Sequence, residues 1–343
     1  MKYLITGGCG FLGSNIAHDI LKKNRGELFI VDNLSRKGSN KNLKWLRKSG
    51  NFKFFKNNVS NKKVIADIIK NIKPDVVLHL AGQVAMTTSI NDPYNDFRTN
   101  TLGTINILEA IRIYSKNSIA IYSSTNKVYG DLEQFKYEET STRYFPKYYK
   151  FGFDENINLS FASPYGCSKG SADQYFIDYS KIYGLKTVVL RHSSIFGLRQ
   201  FSSINQGWIG WFVEQAINIK NNKLDTININ GNGKQVRDIL FSEDLINCYF
   251  KVIENIEKCQ GNAFNIGGGI NNSLSLLELF KILEEELKIK ININKNKWRE
   301  SDQKFFVSDN VKIYKYSKWS PKVDCKFGIK RMIQWVKESK IKN

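Results

Sequence analysis

Short apolar runs alternate with longer stretches of helical periodicity along the N-terminal half of the chain. Tyr3-Leu4-Ile5-Thr6 is β-prone and breaks at a glycine turn, after which Ser14 to Lys23 carries helical spacing. Glu27 to Val31, Phe52 to Phe55, Asp75 to Leu80, Ser118 to Ser123 and Thr187 to Leu190 repeat the strand pattern. Lys62 to Ile72, Asn95 to Tyr114 and Pro164 to Tyr183 repeat the helical one. Strands this uniformly apolar are buried on both faces, as happens when helices cover both sides of a parallel sheet. The pattern predicts a doubly wound α/β fold, in which ligands lie off the carboxyl ends of the strands.

Beyond Gly197 the pattern changes. Trp208, Trp211 and Phe212 crowd a helix expected to reach Lys220, and at helical spacing they suit a core better than a base-stacking platform. A glycine-rich basic turn, Gly231 through Asp238, follows. Leu274 to Leu287 is apolar at helical spacing, and a last helix is expected from Phe327 to Lys337. We expect 1–194 to form the large domain, completed by a segment returning near 236–262. The smaller, substrate-binding domain is then 195–235 with 263–343.

Composition narrows the class. The 343 residues suffice for a large core, 41% are hydrophobic, and no run approaches the ~18 apolar residues of a membrane span. The N-terminus lacks the long apolar segment of a signal peptide. Cys9, Cys167, Cys248, Cys259 and Cys325 are scattered, which fits reduced thiols in a cytoplasm and neither a disulfide frame nor a metal site. His18, His79 and His192 lack metal-ligand spacing. The 52 basic against 32 acidic residues, formally +20, raise nucleic-acid binding. The lysines are dispersed, however, with no basic block or aromatic–basic signature, so we expect solvated faces and an anionic small substrate, without nucleic acid or membrane as partner.

Candidate chemistry sits at the predicted strand ends. Gly7, Gly10 and Gly13 lie between a strand and a helix, where small residues let backbone N–H groups approach a pyrophosphate. Asp32, about 20 residues on, ends the second strand, where a carboxylate takes the hydroxyls of an adenosine ribose. NAD is the expected cofactor, although Arg36 and Lys37 stand close by. Ser163-Pro164-Tyr165-Gly166-Cys167-Ser168-Lys169 places Tyr165 and Lys169 one helical turn apart on one face. The ammonium is expected to lower the phenol from its usual ~10 towards working range, making Tyr165 an acid–base group for a hydroxyl. Cys167, with no companion base, reads as a small side chain.

Together the N-terminal Gly-x-x-Gly-x-x-Gly, Asp32, His79-Leu80-Ala81-Gly82, Thr125, and Tyr165 with Lys169 resemble the extended short-chain dehydrogenase/reductase family of nucleotide-sugar epimerases and dehydratases. The resemblance spans essentially the whole chain and implies a Rossmann-type sheet holding NAD. It places Gly7, Gly10, Phe11, Leu12, Gly13, Asp32, Asn33, Asn58, Val59, Leu80, Ala81, Gly82 and Asn100 at the cofactor, with Tyr165 and Lys169. It places Thr125, Gln83, Ser194, Gln206, Arg237, Arg299 and Asp302 at the substrate.

Further strings are similar to one branch of the family: Gln83 through Ser89, Ser123 through Asp131, Arg191-His192-Ser193-Ser194, Gln206-Gly207-Trp208, and Gly231 through Asp238. That likeness implies a CDP-linked 3,6-dideoxyhexose, oxidised at its 2-position and reduced again with inversion, for lipopolysaccharide O-antigen. In it Tyr165 takes the hydroxyl proton, Lys169 bridges the nicotinamide ribose, and Thr125 bonds the sugar oxygen. Arg237 and Arg299 hold the diphosphate, with Asp302 orienting. A UDP-hexose 4-epimerase shares the same chemistry and is the rival reading. Dehydratases of the family follow the Thr with an Asp-Glu pair, where this chain has Asn126-Lys127. Asn58 and Ser194 also depart from the aspartate and asparagine that many relatives place there. The likeness implies a homodimer or homotetramer, with the Tyr165 helix in the interface.

Overall fold

The computed structural model describes residues 1–204, 206–299 and 302–341. Five strands open the chain: β1 (Lys2–Thr6), β2 (Glu27–Asp32), β3 (Lys53–Lys56), β4 (Val76–His79) and β5 (Ile119–Thr125). With Lys186–His192 and Asn262–Ile266 they make a seven-stranded sheet, ordered Asn262–Ile266, Lys186–His192, β5, β4, β1, β2, β3. All its pairings are parallel. The order reverses between β1 and β4, so the connections leaving these two strands diverge and open a crevice at their carboxyl ends.

Strand alternation sorts the core into two layers. Ile5, Ile30, Leu78, Ile121 and Leu190 pack on one side, with helix α1 (Phe11–Lys22) and helix Ser242–Glu254. Leu4, Val31, Val77, Ala120 and Val189 pack on the other, under helices Lys62–Ile72, Gly103–Tyr114 and Pro164–Tyr183. Both faces being covered is why these strands read as unbroken apolar runs.

The smaller unit has its own core, built from Trp208–Lys220, Leu276–Leu287 and the C-terminal helix Cys325–Ile341. Its strand Val236–Phe241 runs beside Ser194–Phe196, Ser273–Ser275 and Phe305–Phe306. The chain then returns to the large sheet through Asn262–Ile266, so a boundary drawn at 263 passes through that edge strand.

The long helix expected from Asn95 starts as Pro93–Phe97, loosens into one π turn at Arg98–Leu102, and resumes at Gly103. Such a turn re-aims side chains without ending the helix. Elements with no clear signal in the pattern include helices Ser39–Arg47 and Met86–Asn91, and a hairpin of Tyr137–Glu139 with Tyr144–Pro146. Among the described residues no helix is long and apolar enough to cross a membrane.

Candidate active site

A cavity of about 600 Å³ lies over the crevice, walled by both units. At one end is the turn after β1. Gly7 takes φ +72°, where a side chain is strained, and a Cβ there would stand 2.7 Å from Ala81 N. A Cβ on Gly13 would stand 2.2 Å from Gly7 O. These glycines therefore let α1 start against the strand ends. Gly10 caps α1 without a side-chain hydrogen bond, leaving the first-turn N–H groups available for phosphate. Asp32 accepts from Cys9 N at 2.9 Å and Leu34 N at 2.7 Å, which fixes its carboxylate beside that turn. Burial raises its pKa, opposed by those two N–H groups and by Arg36.

Phe11, Leu12, Asn33, Asn58, Val59, Leu80, Ala81 and Gly82 complete this wall. Asn58 spends its Oδ1 on Ser60 N, 3.0 Å away, shaping the turn it sits in. Arg36 Nη2 is buried in the wall and has no hydrogen-bond partner among the described residues. An N–H-lined glycine turn, a carboxylate at the second strand's end and a buried guanidinium nitrogen without a partner among the described residues fit a dinucleotide.

The reactive centre comes from the Pro164–Tyr183 helix. Ser163 accepts from Gly166 N at 3.1 Å, so the helix begins there and Tyr165 falls in its first turn. Tyr165 N donates to Ser89 Oγ at 3.1 Å. The Thr125 hydroxyl, at the end of β5, stands beside that of Tyr165 and favours its ionised form. Lys169 donates to Ser123 O and lies 4.2 Å from the centre of the Tyr122 ring.

The electrostatics differ from the sequence expectation. Burial pushes Tyr165 up to about 12, the Thr125 hydrogen bond and Arg36 pull it down, and Asp96 raises it further. Lys169 itself is brought down to about 7, by burial first, against the charges of Asp173 and Asp96. In the dinucleotide-free protein desolvation thus outweighs the pairing that spacing implied.

Two residues expected in the site lie behind its wall. Asn100, on the π turn, donates to Gln83 O at 3.1 Å and Ser168 Oγ at 2.9 Å. Gln83 is engaged with Ala85 at 2.7 Å and Asp96 at 3.0 Å. They brace the segment that carries Gly82 rather than reach the cavity. His79 is buried between Thr6 and Thr104 at 2.7 and 3.0 Å and is pushed down to about 3 by burial. It packs, with both ring nitrogens engaged by threonine hydroxyls. Cys167 is exposed and outside the lining.

At the far end Arg237 donates to Asp302 Oδ1 and to Gln303 O, both at 2.7 Å, so its guanidinium is held into the cavity. Arg299 reaches Asn230 Oδ1 at 3.3 Å, and Ser194 accepts from Trp208 Nε1 at 3.0 Å. Ser194, Gln206, Arg237, Arg299, Asp302, Trp208 and Trp211 all line the space. So do Lys127, Gln200 and Gln235, which were not expected. Gln200 and Gln235 each bury an Oε1 without a partner among the described residues. Their one visible signal was company: Lys127 lies in the string after Thr125, and Gln235 ends a glycine-rich turn.

This is the site of a nucleotide-sugar enzyme built on a dinucleotide-binding sheet. Residues 4–332 match the family described as GDP-mannose 4,6 dehydratase, and the chain belongs to it, within the extended short-chain dehydrogenase/reductases. It is 55% identical over 335 residues to CDP-paratose 2-epimerase of Salmonella typhi, covering 98% of this chain and 99% of that protein. UDP-glucose 4-epimerase of Thermotoga maritima, solved with UDP-glucose, superposes with TM-score 0.84 at 27% identity over 99% of each chain. dTDP-glucose 4,6-dehydratase of Bacillus anthracis, solved with NAD, gives TM-score 0.80 at 25% identity, covering 99% of this chain and 98% of that one. NAD is the family's cofactor.

Proposed function

We propose that the chain inverts carbon 2 of a CDP-linked 3,6-dideoxyhexose, interconverting CDP-paratose and CDP-tyvelose for O-antigen synthesis in the cytoplasm. The observation that carries this is the Tyr165–Thr125 hydroxyl pair beside Lys169, at the strand ends of a dinucleotide crevice, with an amide and an amine where a dehydratase needs two carboxylates. The 55% identity to an epimerase of that specificity supports the choice of sugar.

Gly7, Gly10, Gly13, Asp32 and Lys169 would hold NAD, which when bound supplies a hydride acceptor first and a hydride donor afterwards. Tyr165 Oη removes the proton of the sugar hydroxyl, and Thr125 keeps its hydrogen bond to that oxygen as the carbonyl develops. Tyr165 has to be ionised to take that proton, and Lys169, one turn away, together with the positive nicotinamide would favour the phenolate over the neutral form that burial holds in the dinucleotide-free protein. Arg237 and Arg299 keep the diphosphate in place while the sugar turns its other face, since guanidinium matches phosphate geometry. Tyr165 Oη then returns the proton to the re-formed hydroxyl, now of opposite configuration. The cavity walls keep water from the ketone in the interval.

The test is to purify the protein, identify its bound dinucleotide, and supply CDP-paratose and UDP-glucose separately, following stereochemistry by proton NMR. Inversion at carbon 2 of the CDP sugar is expected. Conversion of UDP-glucose alone would establish the 4-epimerase reading instead.

We further propose that the protein is a homodimer or homotetramer joined through an apolar helical face. Tyr94, Phe97 and Ile182 are 73%, 53% and 65% exposed on the Pro93–Phe97 and Pro164–Tyr183 helices, beside Tyr175 and Tyr183. Apolar residues gathered on neighbouring helices mark an interface. Sedimentation should give two or four times the chain mass, and Phe97→Asp with Ile182→Asp should give a smaller species. A wild-type monomer at micromolar concentration rules the assembly out.

A further inference from the structure

Lys127 lines the cavity, and the chemistry above does not use it. It sits in a short helical turn, Asn126–Tyr129, that starts where β5 ends. Its N–H donates to Thr125 Oγ1 at 3.2 Å, so its position is tied to the residue that bonds the reacting oxygen. Its half-buried ammonium faces Arg237 and Arg299 as like charges, and Asp302 and Asp131 as opposite ones. Asp302 also pairs with Arg237, at 2.7 Å. Lys127 therefore belongs electrostatically to the anchoring end of the cavity, while its backbone belongs to the reacting end.

The substrate's geometry asks for a cation in that place. In a nucleoside-diphosphate sugar, carbon 2 is separated from the sugar-linked phosphorus only by carbon 1 and its oxygen. Bringing carbon 2 to the Tyr165–Thr125 pair thus brings this phosphate close to the same pair. A reaction at carbon 4 would leave it across the ring. Lys169 lies on the cofactor side of Tyr165, donating to Ser123 O. Arg299 lies at the opposite end, against Asn230.

We propose that Lys127 binds the sugar-linked phosphate of the nucleoside diphosphate and is the pivot about which the sugar turns. This rests on the reading of the site as that of a nucleoside-diphosphate-sugar epimerase acting at carbon 2. Burial together with Arg237 depresses the Lys127 amine to about 8. The sugar-linked phosphate, which carries one negative charge, favours the charged form, adding to Asp302 and Asp131 against burial and the two arginines. A carboxylate in this place would repel the same phosphate.

The experiment compares CDP with CMP, which lacks the second phosphate, by calorimetry on the full-length NAD-loaded protein. UDP and UMP are run in parallel. Lys127→Gln should weaken CDP about 10- to 100-fold and leave CMP within about twofold, the range expected when a charged hydrogen bond is lost. Lys127→Arg should recover most of the loss. Lys127→Met, which keeps the packing of the aliphatic stem, covers the case in which Lys127→Gln fails to fold. An equal loss for CDP and CMP, or an unchanged CDP affinity in a folded variant, overturns the proposal. If wild type prefers UDP, the cytidine reading fails instead, and the UDP–UMP difference still tests Lys127.

Discussion

Tyr165→Phe should lower kcat by about 10³-fold or more while the protein still carries its dinucleotide, because positioned acid–base groups contribute roughly 10²- to 10⁴-fold. The substitution removes one oxygen. The ring stays in its buried place, 8% exposed, and the N–H bond to Ser89 and the Ser163 cap are backbone features that the change leaves alone. What disappears is the atom that takes and returns the sugar proton and the partner of the Thr125 hydroxyl. Burial already holds this phenol near 12, with Arg36 and Thr125 the groups that pull it down. Lys169 is committed to Ser123 O and to supporting the phenol, and no further group described at the reacting end is suited to take over. His79 and His192 are both pushed down to about 3 by burial, and Asp96 is hydrogen-bonded to Ser168 and Gln83 behind the wall. Turnover measured by NMR, with the bound dinucleotide quantified on the same sample, decides it. Near-normal rates would remove Tyr165 from the mechanism.

Asp173→Ala is expected to have the largest effect on stability, about 3–5 kcal/mol, the usual cost of leaving one partner of a buried pair alone. Arg191 donates to both Asp173 oxygens, at 2.8 and 2.9 Å, with side-chain exposures of 5% and 0%. The same carboxylate accepts from Ser124 Oγ at 2.7 Å, and Arg191 also donates to Tyr129 OH at 2.9 Å. One ion pair therefore joins β5, the Tyr165 helix and the strand Lys186–His192. Removing the carboxylate strands a guanidinium in the core and leaves a Ser124 hydroxyl unpaired. Chemical denaturation measures the loss, and a shift below about 1 kcal/mol would show that the pair is dispensable. Asp173→Ala combined with Arg191→Met should recover part of it, because the stranded charge is then gone. The variant carries a second consequence at the site. Asp173 lies one turn beyond Lys169 and is the first of the charges that oppose its depressed pKa. Turnover at pH 7 should therefore fall more than the folded fraction does.

The elements that repeated over long stretches were legible from the chain alone. Ile5, Ile30 and Leu78 alternate with Leu4, Val31 and Val77 because each strand buries both faces, and that pattern needs no partner to be read. The glycine turn, Asp32 and the Tyr165–Lys169 spacing were legible for a similar reason, since each is a local geometry. Gln83 and Asn100, expected at substrate and cofactor, do not line the cavity, because sequence adjacency to Gly82 does not say on which side of the wall an amide points.

What the sequence by itself determined is the class of fold, the dinucleotide turn and the phenol–amine pair, all products of periodicity or short-range spacing. The tertiary structure alone decided the electrostatics and brought the far wall together. Tyr165 is raised and Lys169 lowered because burial is a property of the assembled fold, and desolvation there exceeds the pairwise attraction. Lys127, Arg237 and Arg299 come from segments far apart in the chain, and they meet only because the smaller unit folds back over the strand ends.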